Sequence, residues 1–203
     1  SAAALAMARS LVCSRRHLSL LSGMSRLAVA AATGEQRWAI KRDRTIPFSL
    51  REVYDVVFDV GSYRHFVPYC TESRVTRTIS PTEFDADLAI TFMAFQERYT
   101  SRVVVAPPPA SGDVIDGGVA SVRANSVDGS ALFASLSSEW TMRAVAAPGG
   151  GGTAAEHTHV HFEADFEVRS PLHAHAVALF IDDVADMQLD AFAKRCTSTC
   201  GPS

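Results

Sequence analysis

The chain has 203 residues, 47% of them hydrophobic, which excludes general disorder and suffices for one domain with extensions. A formal net charge of −3 argues against a nucleic-acid protein held by bulk electrostatics. No apolar run approaches the length that spans a bilayer, so any membrane role is peripheral.

The first 36 residues carry Arg9, Arg15, Arg16 and Arg26 among many Ala, Ser and Leu, with Glu35 as the single acid. This is the composition of a mitochondrial transit segment. The expectation is a basic extension, 1–36, that serves targeting or docks on a larger partner, followed by one domain over 37–200.

Trp38 to Ile46 reads as a strand, with Trp38, Ile40 and Ile46 at even positions. Ser49-Leu50-Arg51-Glu52 fits a capping box opening a helix to about Asp59, buried along Val53, Val56, Val57 and Val60 and ended by Gly61. A short turn then holds Tyr63 and Phe66 and stops at Pro68. Strands follow at Glu72–Ile79, Glu83–Phe92, Gln96–Ala106, Val119–Val127, Ser135–Val145 and His157–Val168. Their alternation, clearest at Phe84, Ala86, Leu88, Ile90 and Phe92 against Asp85, Asp87 and Thr91, marks antiparallel strands with one wet face. Pro107–Gly112 and the Pro148–Gly152 run break the pattern as surface connections.

The last element is an amphipathic helix from Pro171 to about Cys196. On a helical wheel Ala176, Val177, Phe180, Val184, Met187 and Ala191 share an arc opposite Asp182 and Asp186. Helix, aromatic turn, many strands and one closing helix describe an α+β grip, a curved antiparallel sheet wrapped around a long C-terminal helix. Alanines facing a concave sheet are compatible with a cavity and equally with close packing.

Candidate chemistry is sparse. Cys13, Cys70, Cys196 and Cys200 are scattered without a Cys-x-x-Cys pair, which points to reduced thiols. His157, His159 and His161 share a strand face, where the outward register favours a solvated surface over a metal site. Glu97 shares a face with Tyr99; it reads as a structural hydrogen-bond or ion-pair partner of Arg98 or Arg102, with a general-base role as the rival. No Gly-x-Ser-x-Gly elbow and no phosphate-cradling glycine loop is present.

Tyr63-x-x-Phe66-Val67-Pro68-Tyr69-Cys70 resembles the Tyr-x-x-Phe-Val-Pro-Trp-Cys signature of the mitochondrial coenzyme Q-binding proteins, within the START-like, polyketide cyclase/dehydrase superfamily. The resemblance continues through Glu97-x-Tyr99-x-Ser101-x-Val103, Leu132-Phe133, Leu136, Trp140, Phe166–His173, Phe180 and Ala191–Arg195, and covers about Ile40 to Cys196. Tyr69 stands where the signature has Trp.

The resemblance implies a helix-grip (START-like) fold and a non-enzymatic carrier or chaperone. Its ligand would be ubiquinone, held at the matrix side of the mitochondrial inner membrane in support of respiratory electron transport. Neither a metal nor a nucleic acid is implied. Phe66, Val67, Tyr69, Phe92, Trp140, Phe166, Phe180, Val184 and Met187 are the expected lining, with Tyr99 and Ser101 as donors to the quinone carbonyls. Two other readings stand beside it. One is an accessory subunit of a respiratory complex or mitochondrial ribosome anchored by residues 1–36; a bacterial relative, the ribosome-association toxin type, acts on ribosomes. The other is a cyclase-like enzyme using Glu97.

Overall fold

Alternation along the chain builds a single antiparallel sheet of seven strands in the order β1-β7-β6-β5-β4-β3-β2. The strands are β1 Arg37–Ile46, β2 Cys70–Ser80, β3 Glu83–Phe92, β4 Phe95–Ala106, β5 Val119–Ser126, β6 Phe133–Ala146 and β7 Glu156–Val168. Helix α1, Leu50–Phe58, and a 3-10 helix, Val60–His65, connect β1 to β2, and helix α2, Pro171–Cys200, closes the chain. The computed structural model describes residues 37–92, 95–109, 118–128, 130–146 and 156–201, without the side chains at 92, 95, 156, 172, 175, 176, 178 and 179. The basic extension, Cys13, residues 110–112 and the glycine run at 149–152 therefore lie outside the described residues, as do the docking and targeting expectations tied to 1–36.

The capping box forms as expected. The Glu52 side chain accepts from the Ser49 amide at 2.9 Å, and the Glu52 amide donates to Ser49 Oγ at 3.4 Å. Gly61 does not end α1. The helix stops at Phe58, where the Asp59 amide still bonds to Asp55 O, and the chain tightens into the 3-10 turn. That turn is tied to β2 by buried Ser73, whose hydroxyl accepts from the Arg64 amide at 3.0 Å and donates to Gly61 O at 2.9 Å.

The convex face of the sheet carries cross-strand ion pairs, Lys41–Glu163 at 2.6 Å, Arg123–Glu139 at 2.7 Å and Arg102–Asp85 at 2.9 Å among them. His161 Nδ1 lies 2.9 Å from Asp43 on this face, and no group that could hold a metal ion occurs among the described residues.

The concave face packs against both helices. Ile46, Val53, Val57, Val103, Met142, Val160 and Phe192 are almost wholly buried in the core between α1, the sheet and the C-terminal half of α2. Three rings meet Phe192: Trp140 at 4.5 Å, Phe66 at 5.1 Å and Tyr63 at 5.2 Å between centroids.

The rotation of α2 differs from the wheel. Among its described side chains the most buried are Ala174, Ala185, Leu189, Phe192 and Cys196, whereas Met187 is 40% exposed. Apolar residues occur nearly all round this helix, so the pattern defines no single arc. The flank is set by charge instead. Arg42, on the inward face of edge strand β1, bonds Asp182 and Asp186 at 2.7 Å each, and Arg44 bonds Asp190. The aspartates expected opposite the core are the clasp that lays α2 along β1.

Candidate functional site

A cavity of about 270 Å³ lies between the N-terminal half of α2 and the concave sheet. Its origin is a floor of small side chains. Ser101 of β4 lies on it, and Ala124, Ser138 and Ala164 form a continuous row across β5, β6 and β7. These inward positions carry alanine or serine where their neighbours along the strands carry Val103, Val122, Trp140 and Phe162. Ala185 of α2 adds another small residue to the wall. The side chains that could fill the gap are not there.

One end is sealed by Trp140, Phe162, Val103 and Val122, all at most 4% exposed. The other end is partly exposed at Pro68, Tyr69, Phe133, Phe180, Ile181 and Val184, and this is the mouth. Tyr69 shapes it. Its φ of 64° lies in the left-handed region that bulky residues avoid, at a cost of roughly 1–3 kcal/mol. The turn sends Cys70 straight into β2, the Tyr69 carbonyl accepts from the Thr91 amide at 2.8 Å, and the side chain stays 38% exposed at the rim.

A mostly apolar wall gives water few partners, so an apolar guest is the occupant that suits this cavity.

Polar groups are few and placed deep. The Tyr99 and Ser101 hydroxyls reach the wall, and neither meets a hydrogen-bond partner among the described residues. Burial, aided by nearby Cys70, pushes the Tyr99 hydroxyl well above its ordinary pKa, so it remains a donor at neutral pH. Burial likewise raises the Cys70 thiol, whose Sγ lies 3.3 Å from Glu72 O, so this cysteine is not an activated nucleophile. Glu97 is buried at 7% exposure, and both its oxygens are engaged: Oε1 accepts from the Ala131 amide at 3.0 Å and Oε2 from the Leu132 amide at 2.7 Å. It pins the β5–β6 connection to β4. The arginines expected beside it pair elsewhere, Arg98 with Glu72 and Arg102 with Asp85.

The structure brings Val67, Tyr69, Tyr99, Ser101, Trp140, Phe166, Phe180 and Val184 together on the cavity wall. Phe66 and Met187 are corrections to the expected lining. The Phe66 ring packs on Phe192, with the Arg195 guanidinium 5.4 Å above its centre, and both Phe66 and Met187 border a groove on the outer side of α2. The Phe92 side chain lies outside the described ones. Sequence reasoning missed Ile181 and Gln188 of α2 and the Ser138 floor position. The recurrence of Ala and Ser at inward strand positions was the available signal for the floor; on α2 the expected arc reaches the wall at Val177, Phe180 and Val184 but runs on to Met187 rather than to Ile181 and Gln188.

Comparison with known proteins agrees with the shape. Residues 46–193 match the profile of a family described as polyketide cyclase / dehydrase and lipid transport. Mitochondrial coenzyme Q-binding proteins of Drosophila melanogaster and Xenopus laevis are 30% and 31% identical over 83% and 86% of the chain. The chain spans 62% and 65% of those two proteins' lengths. The Eremothecium gossypii counterpart is 30% identical over 80% of the chain and 73% of its own length. Among solved structures, the ZhuI aromatase/cyclase from a Streptomyces species superposes with a TM-score of 0.62 at 16% identity, covering 82% of this chain and 99% of that one. That likeness concerns the helix-grip fold alone. The profile match and the relatives' identity over most of the chain make this protein a member of the polyketide cyclase / dehydrase and lipid transport family, in its coenzyme Q-binding branch.

Proposed function

We propose that the chain is a non-catalytic carrier or chaperone for ubiquinone, working in the mitochondrion at the matrix face of the inner membrane in support of respiratory electron transport. The observation that carries this reading is the cavity: about 270 Å³, apolar, sealed at the Trp140 end and open at Tyr69 and Phe180. The quinone head enters first and meets the Tyr99 and Ser101 hydroxyls, which donate to its carbonyl oxygens. The first isoprenes lie against Phe166, Val184 and Ile181, and the rest of the tail leaves through the mouth. Each buried methylene contributes about 0.8 kcal/mol, so a few isoprene units suffice for useful affinity. The volume falls just short of the usual 300–1,000 Å³ range for ligand pockets, which favours a head and short tail over a whole polyprenyl chain.

The names of the relatives support the ligand and the organelle. A binding rather than enzymatic role is supported by Glu97, whose carboxylate is spent on two backbone amides. The test uses Trp140, which lines the cavity. A Trp38→Phe variant leaves it as the sole tryptophan, and a short-tailed ubiquinone titrated into that variant is expected to quench its fluorescence saturably. Organic extracts of native protein are expected to contain a prenylated quinone by mass spectrometry. Absence of both signals overturns the reading.

A further inference from the structure

A groove on the outer side of α2 begins where the mouth ends, and Pro68 belongs to the walls of both. The groove runs between the 3-10 turn and the helix, bordered by His65, Phe66 and Met187 on an apolar side and by Lys194, Arg195 and Ser198 beyond. Its charge is one-sided. Asp190 is its one acid, and that carboxylate is taken by Arg44 of β1. Lys194, Arg195 and neighbouring Arg64 have no carboxylate partner among the described residues; Arg64 Nε reaches only His65, and Arg195 lies over the Phe66 ring. Tyr69, 38% exposed, lines the mouth, and Met187, 40% exposed, lines the groove. The whole chain is acidic, at a formal −3, and most arginines on the sheet and on α1 are matched by acids. Unmatched cations therefore stand beside exposed apolar side chains at the mouth of the cavity.

We infer that this rim is where the protein docks on an anionic lipid surface, with Arg64, Lys194 and Arg195 on the phosphate headgroups and Tyr69 and Met187 in the interfacial region. Such docking sets the mouth against the bilayer, so that a prenyl tail passes between them without crossing water. The inference extends the carrier reading by naming the surface the mouth faces, and it is tested separately from quinone binding.

The full-length chain is floated with vesicles of phosphatidylcholine alone and of phosphatidylcholine with anionic phospholipid. The expected result is a preference for the anionic vesicles that weakens with salt. A basic residue near an anionic surface is worth roughly fivefold in partitioning, so Lys194→Gln/Arg195→Gln together are expected to cost about 25-fold. Arg143→Gln removes an exposed cation from the convex face and is expected to change binding far less. Short-tailed ubiquinone is expected to quench Trp140 equally in the double variant, which shows that it folds and keeps its cavity. The inference is overturned if the wild type shows no anionic preference, if the double variant binds vesicles as the wild type does, or if Arg143→Gln is equally damaging. Loss of quenching in every protein, wild type included, would sink the quinone reading and leave the docking result standing.

Discussion

The two halves of α2 do opposite work against the same sheet. Toward its C-terminus, Leu189, Phe192 and Cys196 are at most 4% exposed and interlock with α1, Trp140 and the aromatic turn. Toward its N-terminus, Val177, Ile181, Val184 and Ala185 roof a void. The helix is not markedly smaller over the void; the sheet beneath it is. Where strands present Trp140, Phe162 and Met142 the interior is solid, and where they present Ser101, Ala124, Ser138 and Ala164 it is hollow. A cavity in this fold is written into the floor of the sheet.

Size changes at the two ends should therefore act in opposite senses. Phe192→Ala is expected to destabilise the protein by about 3–5 kcal/mol, because three neighbouring rings lose their contact and the site cannot collapse. Urea unfolding measures it, and a loss below ~1 kcal/mol would mean that the solid end is not solid. Glu97→Ala is expected to cost about 2–4 kcal/mol, since it leaves the Ala131 and Leu132 amides without their acceptor. Glu97→Gln keeps the shape and one acceptor oxygen, so it should lose less stability and retain quinone quenching of Trp140. Intact folding with all function lost in Glu97→Gln would instead revive a catalytic carboxylate.

Ala124→Leu enlarges a floor position that faces the void. Stability is expected to hold or rise by up to about 1 kcal/mol, because the added carbons enter unfilled space rather than a packed core. Quinone affinity is expected to fall at least ~10-fold, or about 1.4 kcal/mol. The reverse pattern, a large stability loss with unchanged affinity, would place the guest elsewhere.

Much of this was legible in the chain. Strand alternation depends on local period alone, so the faces of Phe84–Ile90 and Phe162–Val168 came out as expected. The Ser49–Glu52 capping box is likewise a local rule obeyed locally. The phase of α2 was not legible: apolar residues surround it, and its orientation is decided by Arg42 and Arg44 on a strand about 140 residues earlier. The same distance hid the site error at Phe66, whose ring is claimed by Phe192 of that helix. Gly61 misled for another reason. Its usual role as a helix terminator needs a positive φ, and here Ser73 holds it inside a 3-10 turn instead. The cavity itself lay between these cases, since its floor residues are visible in sequence but their adjacency needs the register of four strands.

The smallest expected effect concerns the back of that floor. On the convex side Asp85, which precedes Ala86, and Arg102, which follows Ser101, are joined by Nε to Oδ1 at 2.9 Å and Nη2 to Oδ2 at 3.2 Å. The hydrogen-bonded guanidinium holds the Asp85 carboxyl below its ordinary range, with desolvation opposing it less strongly. A depressed folded-state value means that the pair's contribution is complete above the unfolded carboxylate's pKa, about 4, and is lost as pH falls through the lower folded value. Asp85→Asn should then be slightly less stable than wild type at about pH 6 and indistinguishable from it near pH 2, with the gap closing below about pH 4. Urea midpoints across that range measure it. Because the pair staples β3 to β4 directly behind the hollow, Asp85→Asn should also weaken quinone quenching at pH 6 more than it weakens the Phe192 end, as read by hydrogen exchange at the Leu189–Cys196 amides. Equal loosening of both ends would show that the sheet transmits strain as one body, and that the division between a solid end and a hollow end is one of volume only.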